Sequence, residues 1–97
     1  MATFIALGNF TDQGLRTINE STKRADLAKE LAGKYGVNMK EVYWLQGQYD
    51  LLTICEAADE ATLASFGLAI AGAGNVRLQT MRAFTKDEMN DILKKLR

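Results

Sequence analysis

Histidine is absent from the 97 residues. That absence removes Ser-His and Cys-His nucleophile pairs, and with them His-ligated zinc, non-haem iron and proximal-His haem. Any acid or base has to be Asp, Glu, Tyr, Lys or Cys. The one cysteine, Cys55, lies inside an apolar strand pattern, so neither an internal disulfide framework nor a thiolate metal cluster is available. No metal and no cofactor is expected. Neither sign of charge is in excess, since 12 Lys and Arg balance 12 Asp and Glu. A nucleic-acid binder needs a clustered basic field that releases counterions, so no nucleic-acid partner is expected. No apolar run is long enough for a bilayer and no basic-then-apolar leader opens the chain, which predicts a cytoplasmic protein with no membrane partner.

What is present reads as one small domain over 1–97. A chain of this length buries roughly two-thirds of its extended surface, so a partner that covers more of it adds stability. The strongest local signal is Leu45-Gln46-Gly47-Gln48-Tyr49-Asp50, a polar turn between the apolar runs Val42-Tyr43-Trp44-Leu45 and Leu51-Leu52-Thr53-Ile54-Cys55. Two such runs joined through a Gly predict a β-hairpin, over 39–46 and 49–56. Residues 2–10 predict a central strand and 12–19 a short helical turn. Leu27, Ala28, Leu31, Ala32 and Tyr35 recur at helical spacing, with Gly36 where a left-handed cap belongs. Asp59 and Glu60 open a second helix with a Leu63, Phe66 and Ile70 stripe, ended by Gly72 and Gly74. Residues 76–84 predict a fourth strand. Thr85-x-x-Glu88 is a capping box for a last helix, whose Lys94, Lys95 and Arg97 suit its C-terminal end.

The order predicts a ferredoxin-like βαββαβ fold in the α+β class: a four-stranded antiparallel sheet, two helices on one face, and an extra C-terminal helix. Two helices cover one face only. An open face normally alternates apolar and polar residues, yet Phe4-Ile5-Ala6-Leu7 and Leu51-Leu52-Thr53-Ile54-Cys55 send apolar side chains both ways. An uncovered apolar face of several hundred Å² normally marks an interface. The chain is therefore predicted to form a homodimer with sheets face to face, about 10 Å apart, with a small-molecule pocket in the gap. The competing arrangement has segment 12–19 and the last helix folding over that face. The helix from Ala61 to Gly74 carries no charge, and its Ala61, Ala64, Ser65 and Leu68 side could pack dimers into a higher oligomer or simply face water.

Residues 3–14 (Thr-Phe-Ile-Ala-Leu-Gly-Asn-Phe-Thr-Asp-Gln-Gly), the Gly47-Gln48-Tyr49-Asp50 turn, and Gly74-Asn75-Val76-Arg77 followed by Arg82-Ala83-Phe84-Thr85 resemble the GYD-domain family, small bacterial proteins of the dimeric α+β-barrel superfamily. The resemblance runs over essentially the whole chain and implies the same fold and dimer. It implies no activity. The chain departs from the usual pattern at Thr22, Leu45 and Ala58.

Five residues are candidate ligand contacts: Trp44, Tyr49, Asp50, Thr80 and Arg82. Asp50 can act as a base or anchor a donor, or it can cap the turn's amides while Tyr49 packs at the hairpin end. Arg82 shares a strand face with Thr80, and an arginine on an apolar face needs a carboxylate or an anionic ligand. Trp44 and Tyr43 are packing and interface residues or an aromatic platform. Gly72-Ala73-Gly74 follows a helix and precedes a strand, the reverse of a phosphate loop. The expected function is a small-ligand-binding or assembly module. The alternative is a cofactor-independent enzyme of isomerase or monooxygenase type. An RNA reader of the same strand order would show aromatics and glycines on a central strand, which Tyr49-Asp-Leu-Leu-Thr-Ile-Cys-Glu lacks.

Overall fold

The run of β-branched and aromatic residues that opens the chain forms β1 (Ala2–Phe10) at the centre of the sheet in a computed structural model that describes residues 1–96. The sheet is antiparallel in the order β2-β3-β1-β4, with β2 at Asn38–Trp44, β3 at Leu51–Ala57 and β4 at Val76–Ala83. Two helices, α2 (Ser21–Lys34) and α3 (Glu60–Gly72), cross one face. A short α1 (Asp12–Arg16) and a 3₁₀ turn (Ile18–Glu20) fill the 12–19 segment. The last helix is α4 (Lys86–Leu93), and the Arg97 placed at its end by the sequence lies outside the described residues.

Local chemistry explains the boundaries. Thr11 accepts the Gly14 N–H and Asp59 accepts the Thr62 N–H, each capping a helix start. The Thr62 hydroxyl, with that backbone bond adding to it, holds the Asp59 carboxyl below its ordinary value. Gly36 and Gly74 take φ of 77° and 88°, the left-handed region that ends a helix cheaply only for glycine. The hairpin loop is longer than the sequence suggests, because β2 stops at Trp44 and β3 starts at Leu51.

Register sorts the side chains. Phe4, Cys55, Met39 and Arg82 share the helix-covered face, while Ile5, Ile54 and Met81 form one row of the other face and Leu7 and Leu52 the next. A register shift between Met39 and Glu41 sets Val42 and Trp44 on the same face as Met39. The buried core is Phe4, Ala32, Val37, Met39, Cys55, Ala57, Leu63 and Phe66, gathered at one end of the helix-covered side. Leu27, predicted to share the buried stripe of α2, is instead 62% exposed. Ala28, Leu31 and Ala32 carry the contact there, and Leu27 sits at the rim of a cavity.

Among the described residues no helix packs over the Ile5/Ile54/Met81 face, and α4 extends from the end of β4 without settling on the sheet. Phe84, Met89, Leu93 and Leu96 stay exposed along it. The capping box is closed in both directions: the Glu88 N–H donates to Thr85 Oγ1 (3.2 Å) and the Thr85 N–H donates to Glu88 Oε1 (2.9 Å). Thr85→Ala is expected to cost α4 about 1 kcal/mol. Because α4 packs on so little, the loss should appear as faster amide exchange in its first turn rather than as a lower global midpoint.

The Thr85 N–H, with Arg82 adding to it, also holds the Glu88 carboxyl below the ordinary glutamate value, against the opposing effect of desolvation. A carboxyl more acidic folded than unfolded stabilises the helix fully above its unfolded value, about 4.3. That contribution disappears as pH falls through the lower folded value. Amide protection in α4, measured against the intrinsic exchange rate at each pH, should therefore fall on acidification before the sheet's does.

Candidate functional site

Small residues leave a gap on the helix-covered side. Ala25 and Ala28 of α2, Gly67 and Ala69 of α3, and Ala73 just past its end line the space at the end away from the core. None is long enough to meet Phe10, Leu51 and Leu78 across the space. The result is a cavity of about 350 Å³ with an almost wholly apolar lining. Trp44 stands at its edge, 44% exposed. Arg24 is the only charged side chain among the described residues that line it. Its Nη1 donates to the carbonyl and the hydroxyl of Thr17 (both 2.8 Å), and its Nη2 donates to the Gly14 carbonyl (3.2 Å).

The five candidate contacts do not converge. Trp44 and Thr80 line this cavity. Tyr49 reaches to the other side, where its hydroxyl donates to Gln79 Oε1 at 2.9 Å. Asp50 is tied into the hairpin end: Oδ2 accepts the Phe10 N–H at 2.9 Å, its own N–H donates to Gly8 O at 2.9 Å, and its carbonyl accepts the Leu45 N–H at 2.7 Å. Arg82 sits opposite Phe4, four residues along β1 from Gly8 and so about 13 Å from the Asp50 anchor point. Its guanidinium meets Glu88 Oε2 at 3.3 Å, donates to the Thr3 and Ala83 carbonyls, and lies 4.5 Å from the Phe84 ring centroid. Arg82 thus has the intrachain carboxylate that an arginine on this face requires.

Arg24 and the cavity were not read from the sequence. The signal was the density of Ala and Gly on the inner sides of both helices, which leaves facing positions unfilled. The space between two sheets, where the sequence placed a pocket, belongs to the opposite side of the molecule and needs a second copy to exist.

Cys55 lies 4% exposed in the core beside the cavity. Burial pushes its thiol up to about 11. At mildly alkaline pH its thiolate fraction is on the order of 100-fold below that of an exposed cysteine. Alkylation of the folded protein is expected to be correspondingly slow and to jump on denaturation, which mass spectrometry after a timed iodoacetamide pulse would read. No cluster of three or more His, Cys, Asp or Glu side chains that could hold a metal occurs among the described residues. No helix among them is long and apolar enough to cross a membrane.

A ferredoxin-like α+β module with one uncovered apolar sheet face and a helix-side cavity is the class these features define. The GYD domain matches residues 4–93, and the chain belongs to that family. A Thermus thermophilus protein named "Glutamine synthetase and cystathionine beta-lyase binding protein" is 36% identical over 84 residues, covering 86% of this chain and 88% of its own.

Proposed function

We propose that the chain is a protein-binding module, a cytoplasmic homodimer that attaches to metabolic enzymes, among them a glutamine synthetase and a cystathionine β-lyase. Support for the partners comes from the name of the Thermus relative and the near-complete overlap of the two chains. The observation that carries the self-association is the uncovered sheet face. Ile5, Ile54 and Met81 lie side by side there, Leu7 and Leu52 follow, and neither α4 nor α1 covers them. An apolar face of that kind is normally an interaction surface.

A second copy is its first occupant: two such faces stack with their central apolar rows together, while Gln79 and Arg77 of β4 and Tyr49 of the hairpin edge whatever gap is left for a small ligand. The enzymes then dock on surfaces the dimer leaves free. The isomerase or monooxygenase alternative gains nothing from the geometry, because Tyr49, Trp44 and Arg82 act in three different places.

The test is native mass spectrometry of the chain alone and mixed with glutamine synthetase and cystathionine β-lyase from the same organism. A dimer that binds either enzyme is expected. Ile54→Asp should weaken self-association more than tenfold, since an unpaired carboxylate buried between sheets costs several kcal/mol. A monomer at tens of micromolar that ignores both enzymes would overturn the proposal.

A further inference from the structure

We infer that the helix-side cavity binds an anionic amphiphile, a small carboxylate with an apolar body, and that Arg24 receives the carboxylate. This site lies on the other side of the sheet from the dimer face and stands independently of the enzyme-binding reading.

Three observations combine. The cavity of about 350 Å³ falls at the small end of the range for ligand pockets, about 300–1,000 Å³, which suits a body of roughly ten carbons. Its walls are apolar, with Phe10, Leu51, Ile70 and Leu78 among the side chains that line it. Among the described residues its one charge is Arg24, half-buried, and the partners of that guanidinium are all neutral oxygens of Thr17 and Gly14. No carboxylate lies within salt-bridge distance of it among the described residues.

A guanidinium carries five N–H donors, so three bonds to neutral oxygens fix its orientation and leave donors free. The positive charge is held in place but not neutralised. A cation fixed at the edge of an apolar chamber is complementary to a ligand whose charge is negative and terminal, because the charge-assisted bond forms without ordering a loose side chain. A neutral hydrocarbon would leave that charge partly desolvated, and a cationic amphiphile would meet it directly.

Trp44 at the cavity edge is the only tryptophan and serves as the reporter. The probes are decanoate, decanol and decyltrimethylammonium, each titrated below its micelle concentration while Trp44 emission is followed. Saturable binding of decanoate, weaker binding of decanol and none of the ammonium compound is expected. Arg24→Gln should weaken decanoate about tenfold or more and leave decanol unchanged, while Arg24→Lys keeps most of the preference.

A Cβ added at Gly67 meets nothing within 4 Å and the residue lines the cavity, so Gly67→Phe should fill the space and abolish both decanoate and decanol binding with Arg24 intact. That variant covers the case in which Arg24→Gln, having lost its bonds to Thr17 and Gly14, does not fold. Decanoate binding no better than decanol would overturn the inference, as would binding that survives Gly67→Phe. So would a Trp44 emission that is buried from the outset, depends on protein concentration and ignores all three probes, since a second copy would then occupy the chamber.

Discussion

Gly14→Ala is expected to destabilise the protein by about 3 kcal/mol or more. The cause is local and backbone-borne. Gly14 is the buried residue of α1, and an added Cβ would overlap the Asn75 carbonyl oxygen, far inside van der Waals contact distance. A flexible side chain could swing aside, but this obstacle is main chain and is itself held. The Asn75 carbonyl accepts the Thr11 N–H at 3.1 Å, the Thr11 hydroxyl donates to the Gly74 carbonyl, and Gln13 Nε2 bonds both the Ala73 carbonyl and Asn75 Oδ1 at 3.0 Å. Moving Asn75 away therefore breaks the seam that joins the end of β1 to the start of β4. In a domain of this size the Tm should drop by roughly 12–24 °C. Gly33→Ala is the comparison with opposite sign. Gly33 lies exposed near the end of α2 with nothing within 4 Å of an added Cβ, so alanine should raise stability by up to about 1 kcal/mol. Thermal unfolding of the two variants side by side checks both, and equal small effects would refute the account of the seam.

The second large effect is at Asp50. Its three bonds reach Phe10, Gly8 and Leu45, so one residue ties the hairpin loop to the end of the central strand. Asp50→Ala leaves the Phe10 N–H, in a part-buried position, without its acceptor. A donor stranded in this way costs about 1–3 kcal/mol, which corresponds to a Tm lower by roughly 4–24 °C. Asp50→Asn presents a carbonyl oxygen in nearly the same place and should recover most of the loss. The pair separates conformation from charge. If the asparagine variant is as unstable as the alanine variant, the carboxylate itself matters and the tie to Phe10 is an incomplete explanation. Urea titration monitored through Trp44 gives both midpoints.

Much of the architecture was legible in advance because the signals were local. The Thr85 and Glu88 capping box, the Asp59 start of α3 and the left-handed Gly36 each act within a few residues of themselves, so sequence spacing was enough. The excess of apolar strand surface was also readable, since Ile5, Leu7, Leu52 and Ile54 can be assigned to a face by alternation alone. The candidate contacts were harder. Arg82 was expected to need a carboxylate, but nothing in the chain order indicated that Glu88 of the following helix would turn back to supply it. Trp44 and Tyr49 are five positions apart and ended on opposite sides of the sheet, because the loop between them is longer than a tight reversal. The cavity escaped entirely. A void is a property of what two helices fail to fill, and apolar periodicity marks only what they do fill.

The register shift at Lys40 has a consequence for the sheet's edge. Met39 pairs with Cys55 and Val42 with Thr53, three residues facing two, so one strand changes parity midway while its partner does not. Delete Lys40 and an even count is restored. Glu41 would then follow Met39 opposite Ile54, Val42 and Trp44 would keep their inward face, and the strand that has no outer neighbour would lose only its bulge. A single missing codon at this point would straighten that border into a flatter template for a foreign strand without turning one greasy residue outward.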